Sequence, residues 1–395
     1  MLRLAGVSRN YDWGSATEIP RLLGEEPDGR PLAELWFGAH PSGPCLAGEQ
    51  GTPLTDVIAA DPATHLGRDV VARFGAELPY LLKLIAAERP LSLQVHPNVA
   101  QARQGFAVEE AAEVPIDAPH RSYKDVNHKP ELVLALTQFE AMCGFRAPRR
   151  AAELFADLDA PLARAVASML RADPSRTGVR TAFTALLSPL TRPSRTAVEA
   201  LAAACAARLA EGSTSPRADA TVGLLNDAYP GDPGVVASLL LNPVTLQPGE
   251  ALFVPSGGVH AYLSGLGVEI MASSDNVLRA GLTAKHIDVP ALLSTVDYVA
   301  APPIRPAPEV FHGSSRVYYA PVDDFELSLT TIEDDLTHPL PGRGPRILLC
   351  LTGSLRVRSS CEEMDLAPGQ AVFVSAAEGP LSAVGQGTLV QADVP

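Results

Sequence analysis

A short stretch at residues 91–98, Leu-Ser-Leu-Gln-Val-His-Pro-Asn, carries residue types that bind a divalent metal. In a strand, side chains alternate between two faces, so Ser92, Gln94 and His96 would share one of them. Buried polar groups need partners, because leaving them unpaired costs free energy. An amide oxygen and an imidazole nitrogen on one face therefore indicate a metal site. Taken alone, however, a Gln-x-His pair is also found among polar residues of a core or surface that bind no ligand.

Two further segments supply the remaining ligand types. Glu131 follows a Lys-Pro pair and opens an apolar run that ends at residue 137. His260 follows a Gly-Gly turn that comes after an apolar strand at residues 251–254. One carboxylate, two imidazoles and an amide form a suitable set for a divalent metal. The predicted ligands are Gln94, His96, Glu131 and His260.

The elements that position these residues are mainly β. Short runs punctuated by Gly and Pro fill residues 1–44, and strands are predicted at 78–88 and 91–96. The apolar spacing of residues 55–74 predicts a helix. Residues 97–127 are polar and Ala-rich, which indicates a helix and a loop at the mouth of the site.

Residues 148–241 differ from the rest of the chain in composition and in the spacing of their apolar residues. They are rich in Ala, Leu and Arg, and apolar residues recur at i, i+3 and i+4 between prolines. No histidine lies in this range. The pattern predicts an all-helical insertion between two β segments, which covers one side of the site and supplies no ligands.

The sequence contains an internal repeat. Residues 246–255, Leu-Gln-Pro-Gly-Glu-Ala-Leu-Phe-Val-Pro, are echoed by residues 366–375, Leu-Ala-Pro-Gly-Gln-Ala-Val-Phe-Val-Ser. Such self-similarity predicts two related β-barrels. In this register Pro380 stands where His260 would be, so the C-terminal barrel, residues 307–395, should be structural. The expected fold is therefore mainly β with an α insertion.

Composition narrows the function classes. A formal net charge of −14 would repel nucleic acid and anionic membranes, and no basic stripe offsets it. No apolar run approaches the ~20 residues needed to cross a bilayer, and no signal-peptide pattern opens the chain. Five cysteines without CxxC spacing argue against a disulfide framework. We expect a cytoplasmic protein with no nucleic-acid or membrane partner.

Six motifs in order resemble the type I mannose-6-phosphate isomerases, zinc enzymes of the cupin superfamily. They span most of the first 300 residues: Tyr11-Asp-Trp-Gly-Ser15, Glu34-Leu-Trp-Phe-Gly38, the Gln94 and His260 segments, Lys129-Pro-Glu131, and Ser274-Asp-Asn-Val-Leu-Arg-Ala-Gly-Leu-Thr-Ala-Lys285. The resemblance implies two cupin-type jelly-roll barrels plus an all-helical domain. The barrels would comprise residues 1–147 with 242–306, and residues 307–395. It also implies one zinc per chain, and we expect a monomer.

The implied activity is an aldose–ketose isomerisation of mannose 6-phosphate and fructose 6-phosphate, within mannose metabolism. Proton transfer between C1 and C2 passes through an enediol(ate), whose negative charge a permanently cationic side chain can stabilise. The resemblance gives this active-site position to Arg279. The proton carriers left open are Lys129, Glu269, Asp275 and His128, and the candidate phosphate-binding residues are Lys83, Ser92 and Lys285.

Two other functions remain open at the level of sequence. A cupin metal-dependent oxygenase would use a similar barrel, although it more often presents a facial His and carboxylate set for Fe(II) than a set with Gln. A non-catalytic cupin that binds a sugar phosphate would keep the barrel and relax the ligands. The joint presence of four ligand types, Arg279 and Lys129 favours the isomerase.

Overall fold

The protein is described by a computed structural model of residues 1–395, which contains many antiparallel strands in two sheets together with twelve α-helices. The strands are β1 Leu2–Ala5, β2 Val7–Arg9, β3 Glu34–Gly38, β4 Leu46–Ala47, β5 Thr52–Pro53, β6 Tyr80–Ala87, β7 Leu93–Val95, β8 Glu131–Ala135, β9 Phe139–Phe145, β10 Leu241–Leu246, β11 Ala251–Val254, β12 His260–Ala272, β13 Leu278–Gly281, β14 Glu309–Phe311, β15 Ser315–Tyr318, β16 Glu326–Ile332, β17 His338–Pro339, β18 Arg346–Arg358, β19 Glu363–Leu366, β20 Ala371–Val374 and β21 Ser382–Asp393.

The α-helices are mostly short. They are α1 Glu18–Leu22, α2 Leu54–Ala60, α3 Pro62–Leu66, α4 Arg68–Phe74, α5 Val99–Ala111, α6 Pro148–Ala156, α7 Pro161–Ala172, α8 Arg176–Leu187, α9 Arg195–Gly212, α10 Pro216–Ala228, α11 Pro233–Ala237 and α12 Val289–Thr295. Two single-turn 3-10 helices lie at Ser238–Leu240 and Ala376–Glu378. No helix is both long and apolar enough to span a membrane.

The first sheet has ten strands and carries the predicted ligands. Its main path runs β10-β9-β12-β6-β3-β2, and β7, β8, β11 and β13 pair beside it. The thirteen-residue strand β12 is central, because it pairs with β6, β7, β8 and β9. Strand β6 is buried along its whole length, which explains its almost continuous apolar sequence.

The second sheet has eleven strands and draws on both ends of the chain. Its main path is β14-β15-β16-β21-β18-β20-β1-β4-β5. Strand β1 pairs with β20, so that Leu2 lies opposite Phe373. The strands near the start of the sequence thus extend a sheet formed mainly by residues 309–393, a pairing that no local pattern predicts.

Six helices, α6–α11, lie between β9 and β10 in the chain. Prolines begin four of them, at the first position where the missing backbone N–H costs nothing. Their buried faces join the same hydrophobic core as β-strand residues of the first sheet. Phe183 of α8, for example, lies edge-on against Phe145 of β9, with ring centroids 5.3 Å apart. The helices therefore pack directly on the site-bearing sheet.

Several local predictions need correction. The predicted strand at residues 91–96 is confined to Leu93–Val95. The predicted helix at 55–74 is three helices, because Asp61-Pro62 interrupts it and Gly67 adopts a left-handed φ of 83°. In the C-terminal part, residues 346–358 form one long strand, β18, whose pairing with β21 is shifted by a bulge between Cys350 and Thr352.

The internal repeat is visible in the backbone. Strands β11 and β20 are each four residues long and fully buried. The glycines before them, Gly249 and Gly369, have nearly equal left-handed φ values of 85° and 79°. The strand after β11 begins at His260, whereas the strand after β20 begins at Ser382, two residues beyond Pro380.

Candidate metal centre and active site

Three strands bring the predicted ligands together. Gln94 of β7 lies opposite His260, the first residue of β12. Glu131, the first residue of β8, pairs with Met271 near the other end of β12. His96 follows β7 by one residue. Three of the predicted ligands thus lie at or next to the end of a strand, and Gln94 is the middle residue of β7.

The side chains of His96, Glu131 and His260 form a compact cluster. One ligand atom from each lies within 4.8 Å of the others. Glu131 bridges the two rings, since Oε1 is 3.2 Å from His96 Nε2 and Oε2 is 3.2 Å from His260 Nε2. All three residues are at most 2% exposed. Such a group of donors, removed from water, is suited to a metal ion.

Hydrogen bonds on the far side of each ring fix its orientation. His96 Nδ1 donates to the Asn276 carbonyl oxygen at 2.7 Å, and His260 Nδ1 donates to the Gly258 carbonyl oxygen at 3.0 Å. With the proton on Nδ1, each Nε2 presents its lone pair to the cluster. Gln94 Nε2 lies 3.3 Å from His260 Nε2, and turning the amide by half a rotation would bring its oxygen there.

The cluster leaves polar atoms that a metal would satisfy. His96 Nε2 and Glu131 Oε2 are buried without a hydrogen-bond partner, which costs free energy unless a ligand pairs with them. Burial lowers the pKa of His96 to about 4, so the imidazole is neutral as a ligand must be. Burial alone would raise the pKa of Glu131, but the neighbouring imidazoles and Lys129 bring it well below the ordinary value. These donors fit a zinc ion.

A buried ion pair lies beside the cluster. Lys83 of β6 and Glu269 of β12 are opposite in register, and Lys83 Nζ is 2.9 Å from Glu269 Oε2. Burial disfavours the charged ammonium, but Glu269, Glu34 and Glu131 outweigh it, so the pKa of Lys83 is raised. The Lys83 ammonium also lies 5.4 Å from the centroid of Trp36. Lys83 is a protonated residue held by a partner.

The other predicted proton carriers lie in different surroundings. Lys129 Nζ is 3.5 Å from Glu131 Oε1 at the cluster itself. The Asp275 side chain is 39% exposed, and its Oδ1 lies 3.6 Å from His40 Nε2. His128 turns toward the C-terminal part of the chain, where its Nε2 contacts both oxygens of Asp324 at 3.0 Å. The structure thus brings Lys129 to the ligands and directs His128 elsewhere.

Two cations near the ligands have no ionic partner. Arg279 of β13 lies opposite Gln94, and it makes no salt bridge or hydrogen bond through its side chain. Burial lowers its pKa. Lys285 is an exposed residue, and the partial burial of its ammonium together with the charge of Arg279 lowers its pKa. The Ser92 hydroxyl also makes no hydrogen bond, so all three groups are available to a ligand.

His40 and Asn276 also belong to this region, and the sequence interpretation gave neither a role. His40 is 4% exposed, and its Nδ1 accepts a hydrogen bond from the Ser42 backbone N–H at 3.3 Å. The proton of the neutral ring is therefore on Nε2, facing Asp275. His40 follows the Glu34–Gly38 motif by two residues, which is the only signal that could have drawn attention to it.

Comparison with known proteins shows the family of the chain. Residues 1–148 match the family model described as phosphomannose isomerase type I, catalytic domain. The mannose-6-phosphate isomerase of Escherichia coli is 40% identical over 99% of both chains. The chain belongs to the mannose-6-phosphate isomerase family. The resemblance inferred from the six motifs is confirmed.

Members of the family from other kingdoms and solved structures extend the likeness. Mannose-6-phosphate isomerase 1 of Arabidopsis thaliana is 33% identical over 95% of this chain and 89% of its own length. The crystal structure of the apo form from Salmonella typhimurium has a TM-score of 0.90 and 37% identity, covering 100% of this chain. A zinc-bound mannose 6-phosphate isomerase has a TM-score of 0.89 at the same identity and coverage. The likeness to the family therefore covers the whole fold.

Proposed function

We propose that this protein is a zinc-dependent mannose-6-phosphate isomerase, which interconverts mannose 6-phosphate and fructose 6-phosphate. The observation that carries this proposal is the buried cluster of His96, Glu131 and His260, whose unpartnered atoms suit a metal. It lies in a chain that is 40% identical to an enzyme of that name. The oxygenase and the non-catalytic binder are not favoured, because the relatives are isomerases.

We infer that one zinc is held by Gln94, His96, Glu131 and His260. A single carboxylate with three neutral donors leaves a formal charge of about +1 on the metal, which preserves its acidity. When bound, zinc supplies Lewis-acid polarisation of the sugar oxygens. The carbonyl oxygens of Gly258 and Asn276 orient the two imidazoles by accepting hydrogen bonds from their Nδ1 atoms.

The proposed reaction moves a proton between C1 and C2 of the open-chain sugar. Arg279 stabilises the negative charge that develops on the sugar oxygens, because its guanidinium has no competing carboxylate. Of the four proton-carrier candidates, Lys129 and Asp275 combine proximity to the ligand segments with free or accessible atoms. Glu269 is occupied by Lys83, and its part is to hold that ammonium in place. For His128 the bond to Asp324 supports a positioning role.

The phosphate of the substrate requires a positive pocket in an acidic protein. We propose that Lys285 and Ser92 bind it, with Lys83 adding positive charge from the buried side. Lys285→Ala should lower kcat/KM for mannose 6-phosphate and barely change the rate with unphosphorylated mannose. Equal proportional losses on both sugars would mean that Lys285 maintains the shape of the site.

We propose the following organisation for the chain. Residues 1–147 with 242–306 form a zinc-binding cupin-type jelly-roll barrel, residues 148–241 a helical domain, and residues 307–395 a second barrel without a metal. The repeated buried strands β11 and β20 support this division. Strands β1, β4 and β5 come from the first segment but pair in the second sheet. We also propose a cytoplasmic monomer. Five unpaired cysteines, four of them buried, are consistent with a reducing compartment.

The metal and the activity can be tested together. His260→Ala should lose most of its zinc by elemental analysis and most of its isomerase activity, because the cluster loses one of its imidazoles. His338→Ala is a matched control, since that histidine contacts Asp334 on the surface and should retain both properties. Full turnover in rigorously metal-free protein would refute the assignment.

A further inference from the structure

Asn276 is a fully buried amide with an unusual number of hydrogen bonds. Its Oδ1 accepts from the backbone N–H groups of Lys124 at 2.7 Å and Asp125 at 3.2 Å. Its Nδ2 donates to the Asp125 carbonyl at 2.9 Å, to Asp125 Oδ1 at 3.1 Å and to the Asn127 carbonyl at 2.9 Å. A single side chain therefore binds three of the four residues from 124 to 127.

These bonds hold a loop that has no regular structure of its own. Residues 112–130 connect α5 to β8, and their backbone groups need partners that no helix or strand supplies. Glu109 of α5 accepts from the amides of Ser122 and Tyr123, both at 2.8 Å. Asn276 accepts from the next two amides. Two side chains thus determine the path of four consecutive residues.

The main chain of Asn276 reaches the metal cluster. Its carbonyl oxygen is the acceptor for His96 Nδ1, at 2.7 Å, and so orients that imidazole. The loop that its side chain holds runs on, six residues after Asp125, into Glu131. Asn276 therefore contacts one predicted ligand, His96, directly through its backbone carbonyl. Through its side-chain amide it contacts the segment that leads to another, Glu131.

We propose that Asn276 is a positioning residue that couples the order of the loop at residues 112–130 to the retention of zinc. The inference rests on the zinc assignment proposed above. If the loop loosens, the Asn276 backbone loses its anchor and the carbonyl no longer fixes the His96 ring. Because coupling free energies are reciprocal, removal of zinc must loosen the loop by the same amount.

The first test measures zinc release. Asn276→Ala should release zinc to a chromophoric chelator about 10- to 100-fold faster than the wild type, the range typical of lost outer-shell partners. Asn242→Ala is the matched control, because Asn242 Nδ2 also donates to several backbone carbonyls, none of which bonds a ligand imidazole. It should lose stability while its zinc release stays at the wild-type rate.

The second test uses the wild type alone, so it does not depend on the folding of a variant. Hydrogen exchange of the amides of residues 122–125 should accelerate after chelation, while amides of the helices α7 and α8 remain protected. Unchanged exchange in the loop, or equal zinc release from Asn276→Ala and wild type, would refute the coupling. Wild type that binds no zinc would instead refute the proposed function on which the inference rests.

Discussion

At the scale of single residues, the buried pair of Lys83 and Glu269 has the clearest energetic consequence. Both side chains are at most 5% exposed, and each is the main partner of the other's charge. Removing one leaves the other charge buried and unpaired. Lys83→Met should therefore destabilise the fold by roughly 3–5 kcal/mol, whereas removing both charges in the double variant with Glu269→Met should cost less than the sum.

Urea unfolding of the two single variants and the double variant would measure this coupling. The exposed pair of Arg150 and Glu153 provides the comparison, since its side chains are 78% and 62% exposed. Arg150→Ala should change the free energy of unfolding by less than about 1 kcal/mol. Additive effects at Lys83 and Glu269 would mean that their contact contributes nothing of its own.

Arg279 should act on turnover more than on binding. Its guanidinium has no ion partner, and Arg279→Lys keeps the charge while losing the planar donor set. We expect kcat to fall by about 10²-fold or more while KM and zinc content change little. Steady-state kinetics with parallel elemental analysis would show this. A change confined to KM would make Arg279 a phosphate-binding residue.

The sequence predicts residues well where chemistry requires a local pattern. His96, Glu131 and His260 were predicted because ligands on strands leave an alternation and a glycine turn in the sequence, and the structure clusters all three. Asn276 lies inside a motif that was noted, yet its partners are about 150 residues away along the chain. No local pattern reports such contacts, so its role emerges only in the folded structure.

At the scale of elements, the two copies of the repeat offer a matched comparison. Phe253 of β11 and Phe373 of β20 occupy the same repeat position and are both buried. Truncating either to Ala should cost about 3–5 kcal/mol of stability. Of these two strands, only β11 pairs with β8, the strand that begins at Glu131. Phe253→Ala should therefore also weaken zinc retention, whereas folded Phe373→Ala should keep normal kinetics.

Thermal unfolding, zinc content and steady-state kinetics of the two variants would test this difference. A selective loss of turnover in Phe373→Ala, without loss of stability, would mean that the C-terminal strands contribute to the site. Element boundaries were less predictable than element types. The helix expected at 55–74 is broken at Gly67, because a left-handed φ is a property of one residue that apolar periodicity cannot report.

At the scale of the whole molecule, two buried groups should give opposing pH dependences. Burial lowers the pKa of His40 to about 4, although the nearby charge of Asp275 acts to raise it. Between pH 6.5 and 4 the unfolded chain therefore binds a proton that the folded protein does not. This group makes stability fall as the pH is lowered, by about 1.4 kcal/mol per pH unit.

Asp393 contributes with the opposite sign. Burial raises the pKa of Asp393 to about 7, although the nearby charge of Arg346 acts to lower it. Below pH 3.8 both states are protonated, and between there and pH 7 only the folded state keeps its proton. Stability therefore falls as the pH rises through this range, and this slope offsets the slope that His40 contributes. Asp393→Asn should leave a steeper loss of stability on acidification, and His40→Gln should leave the reverse slope.

Urea unfolding at intervals from pH 4 to 7 would measure these slopes in the wild type and the two variants. The His338→Ala variant serves as a control for the general effect of removing an imidazole, because His338 contacts Asp334 and neither of the two buried groups. Parallel curves for all four proteins would contradict the assignment of opposing slopes to His40 and Asp393.

The least predictable feature of the whole molecule is the partner of strand β1. Its four residues read as a strand, and the sequence interpretation placed them with the nearest β segment, the metal-binding one. The structure pairs them with β20 and β4 in the second sheet. Strand patterns indicate a strand and a face, but a partner some 370 residues away leaves no trace in local periodicity.

That pairing sets an order of events during synthesis. At roughly 5–20 residues per second, a ribosome needs on the order of 20–70 s after making β1 to reach β20. Throughout that interval β1 has an unpaired edge, which is a template for other extended chains. The first sheet can form its ladders well before then, since β12 ends at Ala272. The metal centre is thus available for assembly on a nascent chain whose opening strand still awaits its partner.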